Sequence, residues 1–154
     1  MRKYTLVIID MQPHFGAAKN KILLSSIKLE IAKAIKLNNH IMFVRYIGCG
    51  KISSGLLKMI IHYNNVSFVN KDDQDGGHET LMALSVYNAR TNLKFCGVNT
   101  DECVRDTITH IAMRYPKRFK IHVMENCCYS YSEASHKGGI CALSKIENVY
   151  IKAA

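Results

Sequence analysis

A chain of 154 residues, 48% of them hydrophobic, can bury one core of ordinary size, so a single domain over residues 1–154 is expected. No stretch reaches the roughly 18 apolar residues that a membrane-spanning helix needs, and Met1-Arg2-Lys3-Tyr4 leads into a strand-like segment instead of a signal peptide, so we expect no membrane partner and a cytoplasmic location. The formal net charge of +9 raises nucleic acid as a partner. However, the lysines are spread from Lys19 to Lys152, and the one tight cluster, Arg114-Tyr115-Pro116-Lys117-Arg118 with Lys120, sits in no recognised motif; a solvated basic surface without a nucleic-acid partner is the expectation.

Tyr4 to Ile9 is a continuous aliphatic and β-branched run ending in Asp10, which suits a strand buried on both faces of a parallel sheet. After a loop with Pro13 and Gly16, Ile22 to Leu37 spaces its apolar residues as an amphipathic helix. His40 to Tyr46 reads as a second strand, closed by Gly48-Cys49-Gly50 before a short helical stretch over Gly55 to His62. Val66 to Val69 reads as a third strand, and the polar run from Asn70 to Gly77 as a loop. Glu79 to Arg90 is expected to be helical, Leu93 to Cys96 a strand, and Thr100-Asp101 an N-cap for the helix carrying Cys103 and Thr107. Lys120 to Met124, Ser132 to Lys145 and Val149 to Ile151 complete the pattern as strand, helix and strand. Alternating strands and helices predict an α/β fold: a three-layer α-β-α arrangement with a central parallel sheet of about six strands.

Ligands of such sheets bind beyond the carboxyl ends of the strands, where Asp10, Lys71 and the turn from Gly97 to Cys103 all fall. A helix N-terminus offers Cys103 unpaired N–H groups and the positive end of the macrodipole, which favour a thiolate. Asp10 is the candidate to accept the thiol proton and Lys71 the candidate to stabilise charge, an activated-nucleophile arrangement. Inert packing is the competing reading of such a cysteine. The six cysteines, at 49, 96, 103, 127, 128 and 141, form no CxxC pair, and adjacent Cys127-Cys128 read as buried small apolar residues.

Leu6-Val7-Ile8-Ile9-Asp10-Met11-Gln12, then Lys71, then Gly97-Val98-Asn99-Thr100-Asp101-Glu102-Cys103-Val104 resemble the isochorismatase-like cysteine hydrolases, whose members include nicotinamidases and N-carbamoylsarcosine amidohydrolases. The resemblance covers nearly the whole chain and is most specific in the last segment, which meets the form Gly-hydrophobic-x-Thr-x-x-Cys-Val. It implies a triad of Asp10, Lys71 and Cys103, a cis peptide at Val98-Asn99, and an oxyanion hole from the backbone N–H groups of Asn99 and Cys103. It further implies a small-molecule substrate with a carbon–nitrogen bond of amide, ureido or carbamoyl type, a thioester intermediate, and a homo-oligomer.

Nicotinamidases of that family bind a metal through an Asp-x-His pair and a further His after the second strand. The matching stretch here, Arg45 to Lys51, has no Asp-x-His, so neither a metal nor any other cofactor is expected, and nicotinamide is not the expected substrate. His14, His62 and His78 have no ligand spacing with one another and read as surface or hydrogen-bonded histidines. Phe15, Tyr46 and the loop from Asp72 to Gly77 are the candidate walls of the pocket. Two other functions compete: a catalytically idle member of the fold that binds a partner or ligand, and a redox protein pairing Cys103 with Cys96 or Cys49.

Overall fold

The computed structural model describes residues 3–87 and 91–153. Six strands, β1 (Thr5–Ile9), β2 (His40–Tyr46), β3 (Val66–Lys71), β4 (Asn92–Val98), β5 (Lys120–Tyr129) and β6 (Val149–Lys152), form one sheet in the order β3-β2-β1-β4-β5-β6. Every neighbouring pair is parallel. The chain first adds strands on one side of β1 and then, from β4, on the other. Right-handed crossovers therefore carry α1 (Lys21–Lys36) and α2 (Ser54–Leu57) to one face and α4 (Arg105–Arg114) and α5 (Glu133–Ser144) to the opposite one. On that second face α4 packs between α3 (Gly77–Val86) and α5.

All five residues of β1 are buried, as expected for the central strand of a sheet covered on both faces. The core closes over it with Ile27 and Ile31 from α1, Ile108 and Ile111 from α4, Leu84 from α3 and Leu143 from α5. Asn20 starts α1 by accepting hydrogen bonds from the N–H groups of Ile22 and Leu23, and Ser132 caps α5 through the N–H of Ser135. Among the described residues no helix is long and apolar enough to cross a membrane.

Four elements differ from the sequence reading, each for a tertiary reason. Asn70 and Lys71 belong to β3 and not to a loop, because they pair with Arg45 and Tyr46 of β2. Thr100 and Asp101 cap nothing: Thr100–Val104 is a π-helical turn kinked at Glu102 (φ −127°, ψ −108°), and α4 starts only at Arg105. β5 runs on to Tyr129 because its register slips, pairing Val123 with Phe95 but Cys128 with Gly97. α3 begins at Gly77 and ends at Val86, and of the helix expected over Glu79 to Arg90, residues 88–90 lie outside the described ones.

The register slip centres on Gly97, whose φ is +127° and whose pro-Cβ position lies 2.0 Å from the carbonyl oxygen of Ile9. Only glycine lets β4 approach β1 this closely just before Asp10. Gly97→Ala combines a disfavoured backbone conformation with a backbone clash, and we expect it to cost at least about 3 kcal/mol, read as a fall in the urea midpoint or loss of the folded protein.

Candidate active site

The strand order reverses between β1 and β4, so a crevice opens above that seam at the carboxyl ends of the strands. Asp10 leaves the end of β1 with φ +50°, a left-handed conformation that aspartate tolerates better than most residues. Its own N–H is held by the Val44 carbonyl at 2.9 Å, and its carbonyl accepts the Gln12 N–H at 2.7 Å. The peptide bond between Val98 and Asn99 at the end of β4 is cis, and the kinked turn that follows carries Cys103. Lys71 ends β3, two strands away from β1.

The Lys71 side chain spans that gap and places Nζ 3.0 Å from Oδ2 of Asp10, with both side chains 0% exposed. Nζ also donates to the carbonyl oxygens of Asp73 (2.9 Å) and Gln74 (3.3 Å), and lies 4.2 Å from the centre of the Tyr46 ring. An ammonium removed from water is thereby met by a carboxylate, two carbonyls and an aromatic face. Among the groups that stabilise the Asp10 carboxylate, the Lys71 charge is the strongest.

Burial pushes the Asp10 carboxyl above its ordinary range; the Lys71 charge, then contacts with the Lys71 ammonium and the Cys103 thiol, pull it part of the way back. Cys103 is 5% exposed. Burial first, then repulsion from Asp10, raises its thiol to about 12, with Lys71 opposing. The helix N-terminus was expected to favour the thiolate, but α4 proper starts beyond the kink, and desolvation wins. The resting pair is a neutral thiol beside a carboxylate held by an ammonium.

Asn99, 1% exposed, donates through Nδ2 to Oε2 of Glu102 at 2.8 Å, which leaves its buried Oδ1 without a partner. Phe15 and Tyr46 sit together with ring centres 6.4 Å apart, and Tyr46 covers the Lys71 ammonium. His14 is exposed beside Phe15, at 5.7 Å between rings, while His62 and His78 are exposed at helix ends. All six cysteines are free thiols; Cys127 and Cys128 are buried.

Sequence reasoning missed the residues that hold this arrangement in place. Gln12, fully buried, accepts the Tyr46 N–H (2.8 Å) and donates to the carbonyls of Tyr46 (3.0 Å) and Gly50 (2.8 Å), pinning the loop after β2 onto β1. Its signal was an amide two residues past an apolar strand, where no solvent-facing role was needed. Gly76 donates to the Thr107 hydroxyl at 3.0 Å, and a Cβ there would lie 2.5 Å from Cδ of Lys71. Thr100 and Asp101, read as caps, instead bond His136 and Ser130.

A family model described as the isochorismatase domain matches residues 4–154. The chain belongs to the isochorismatase family. Among solved structures it is similar to a nicotinamidase from Staphylococcus aureus (TM-score 0.80, 20% identity, covering 99% of this chain and 100% of that one). It is also similar to a MAR1 ribonuclease from Caenorhabditis elegans (TM-score 0.83, 14% identity, 97% and 77%) and a nicotinamidase/pyrazinamidase from Bacillus subtilis (TM-score 0.79, 18% identity, 97% and 99%). At these identities the likeness shows the fold. No curated protein matches the chain. A metal site of the nicotinamidase kind does not fit this isochorismatase-family chain: Arg45 to Lys51 lacks the Asp-x-His pair, and among the described residues no three His, Cys, Asp or Glu side chains converge.

Two outcomes follow from the buried charges. Lys71→Met strands the Asp10 carboxylate and should cost about 3 to 5 kcal/mol in urea unfolding, whereas Asp10→Asn with Lys71→Met should recover most of that loss. Between pH 9 and about 12 the folded protein keeps the Cys103 proton that the unfolded chain releases, so stability falls as pH rises. Cys103 contributes at most about 1.4 kcal/mol per pH unit to that fall, and urea midpoints from pH 8 to 10.5 should decline less steeply in Cys103→Ala than in the parent.

Proposed function

We propose that this isochorismatase-family protein is a cysteine hydrolase that cleaves the carbon–nitrogen bond of a small amide, ureido or carbamoyl compound. The observation that carries this reading is the water-free Asp10–Lys71 pair beside the Cys103 thiol at the switch point of the sheet. Asp10, its pKa raised by burial, is a better proton acceptor than an ordinary carboxylate. As the thiol sulfur attacks the substrate carbonyl, the S–H proton passes to Asp10 and the developing oxyanion is received by the backbone N–H groups of Asn99 and Cys103. Asp10 returns the proton to the departing nitrogen, and the C–N bond breaks to leave a thioester on Cys103. Water then attacks the thioester, giving one proton to Asp10; as the C–S bond breaks Asp10 passes that proton to the sulfur, releasing the acid and restoring both the thiol and the carboxylate.

Lys71 keeps a fixed positive charge beside the Asp10 carboxyl while that proton moves. The partnerless Oδ1 of Asn99 supports a substrate with an N–H group, because a buried acceptor without a donor costs free energy that such a group relieves. Phe15 and Tyr46 are the proposed walls, and the slight exposure of Cys103 favours a small substrate. The high thiol pKa favours a second reading, an idle member of the family that binds a ligand without turnover.

A panel of small amides, ureas and carbamoyl compounds, run beside Cys103→Ala, separates the two. We expect turnover that falls at least about a thousandfold in the variant with an unchanged circular dichroism spectrum, and an acyl adduct on Cys103 by mass spectrometry. Undiminished turnover in Cys103→Ala removes the covalent mechanism.

A further inference from the structure

The turn that presents Cys103 is held by α5 and the end of β5. Thr100, fully buried and in the same five-residue turn as Cys103, has its hydroxyl 2.8 Å from Nδ1 of His136. The neighbouring Asp101 carboxylate accepts the Ser130 hydroxyl. Gly139, one helical turn beyond His136, packs against the same backbone, and a Cβ there would lie 2.7 Å from both Thr100 and Asp101 main-chain atoms. The Tyr129 ring lies against the imidazole, with centres 5.8 Å apart. His136 also lines an open groove of about 510 Å³ with Glu125, Cys128, Tyr129 and Glu133, so protons reach it from solvent.

We infer that His136 is a positioning residue for the nucleophile: as the neutral imidazole it accepts the Thr100 hydroxyl and so fixes the turn from Asn99 to Cys103. The inference rests on Cys103 being the reactive group. A hydroxyl sealed from water needs an acceptor, and Nδ1 fills that role only when the ring proton is on Nε2. Once protonated, His136 has donors on both nitrogens, and the Thr100 proton loses its acceptor. The turn then relaxes, and Cys103 moves relative to Asp10. A small misplacement of a reacting atom is enough to slow chemistry severalfold or more.

The charged and titratable groups around the imidazole come from three elements. Glu125, Cys128 and Tyr129 lie on β5, Asp101 on the nucleophile turn, and Glu133 and Lys137 on α5 itself. Burial lowers the His136 pKa, with Glu125, Asp101 and Glu133 opposing and Lys137 reinforcing. The neutral form is therefore the resting one at neutral pH, and loss of reactivity belongs on the acid side.

The test measures iodoacetamide alkylation of Cys103 by peptide mass spectrometry from pH 5 to 9, in the parent protein and in His136→Leu, His136→Asn and Thr100→Val. At pH 8 we expect His136→Leu and Thr100→Val to react about tenfold more slowly than the parent, with His136→Asn, which offers an acceptor near the Nδ1 position, within about twofold. On acidification the parent should lose reactivity relative to His136→Asn, which does not titrate. Nitrogen-15 NMR at pH 8 should find Nδ1 of His136 without a proton. One shared rate and pH profile across the four proteins overturns the inference, as does a protonated Nδ1; if His136→Leu fails to fold, Thr100→Val decides. Because alkylation requires no substrate, these results stand apart from whether any amide is hydrolysed.

Discussion

Two opposite charges 3.0 Å apart and sealed from water set the terms for everything around them. Removing a carboxylate and an ammonium from solvent carries a large penalty, which their mutual attraction offsets only with good geometry and further polar partners. The fold supplies those partners at specific places: the carbonyls of Asp73 and Gln74, the face of Tyr46, and the space left at Gly76 for the lysine stem. The ammonium reaches Asp10 across an intervening strand, so β2 must end where it does, with Tyr46 beneath the lysine. Gln12 secures that end by bonding both polar backbone groups of Tyr46.

Cys103 is held with equal care, but by packing. Gly97 brings β4 against β1, Gly139 brings α5 against the turn, and the turn itself is kinked at Glu102 instead of flowing into a straight helix. The cost of this enclosure is visible in the thiol, which burial keeps protonated to about 12. Under the proposed chemistry such a cysteine works through a neighbour that takes its proton at the moment of attack, not through a standing population of thiolate. The raised pKa of Asp10 and that of Cys103 thus have one origin in desolvation.

Much of this was legible in the chain. The apolar runs ending at Asp10 and Tyr46 gave β1 and β2 because central parallel strands are written as uninterrupted hydrophobic segments. The spacing around Cys103 pointed to the turn between β4 and α4. What escaped notice had no local signature. Asn70 and Lys71 are polar, so their strand hydrogen bonds to β2 could not be read from side-chain type. Thr100 and Asp101 have the chemistry of helix caps, and only the arrival of His136 and Ser130 from later in the chain redirects them. Glu125 and Asn126 interrupt the apolar pattern of β5 where its register slips, which hid the length of that strand. The thiol pKa depends on enclosure by distant segments, while the helix N-terminus that argued for a thiolate is a local feature.

The order of the strands divides the reactive groups in a telling way. β1, β2 and β3 with Asp10 and Lys71 come from the first half of the chain, and β4, β5 and β6 with Cys103 come from the second. In the sheet the two halves meet along the β1–β4 seam, where Leu6 lies beside Lys94 and Ile9 beside Gly97, and outside it α3 packs on α4 and α1 on β5. A chain severed between α3 and β4 would therefore yield one fragment with a base and no sulfur, and another with a sulfur and no base. The proposed hydrolysis, which needs both groups, would return only on reassembly of the two fragments, whereas the sulfur released from its burial would by itself react more readily.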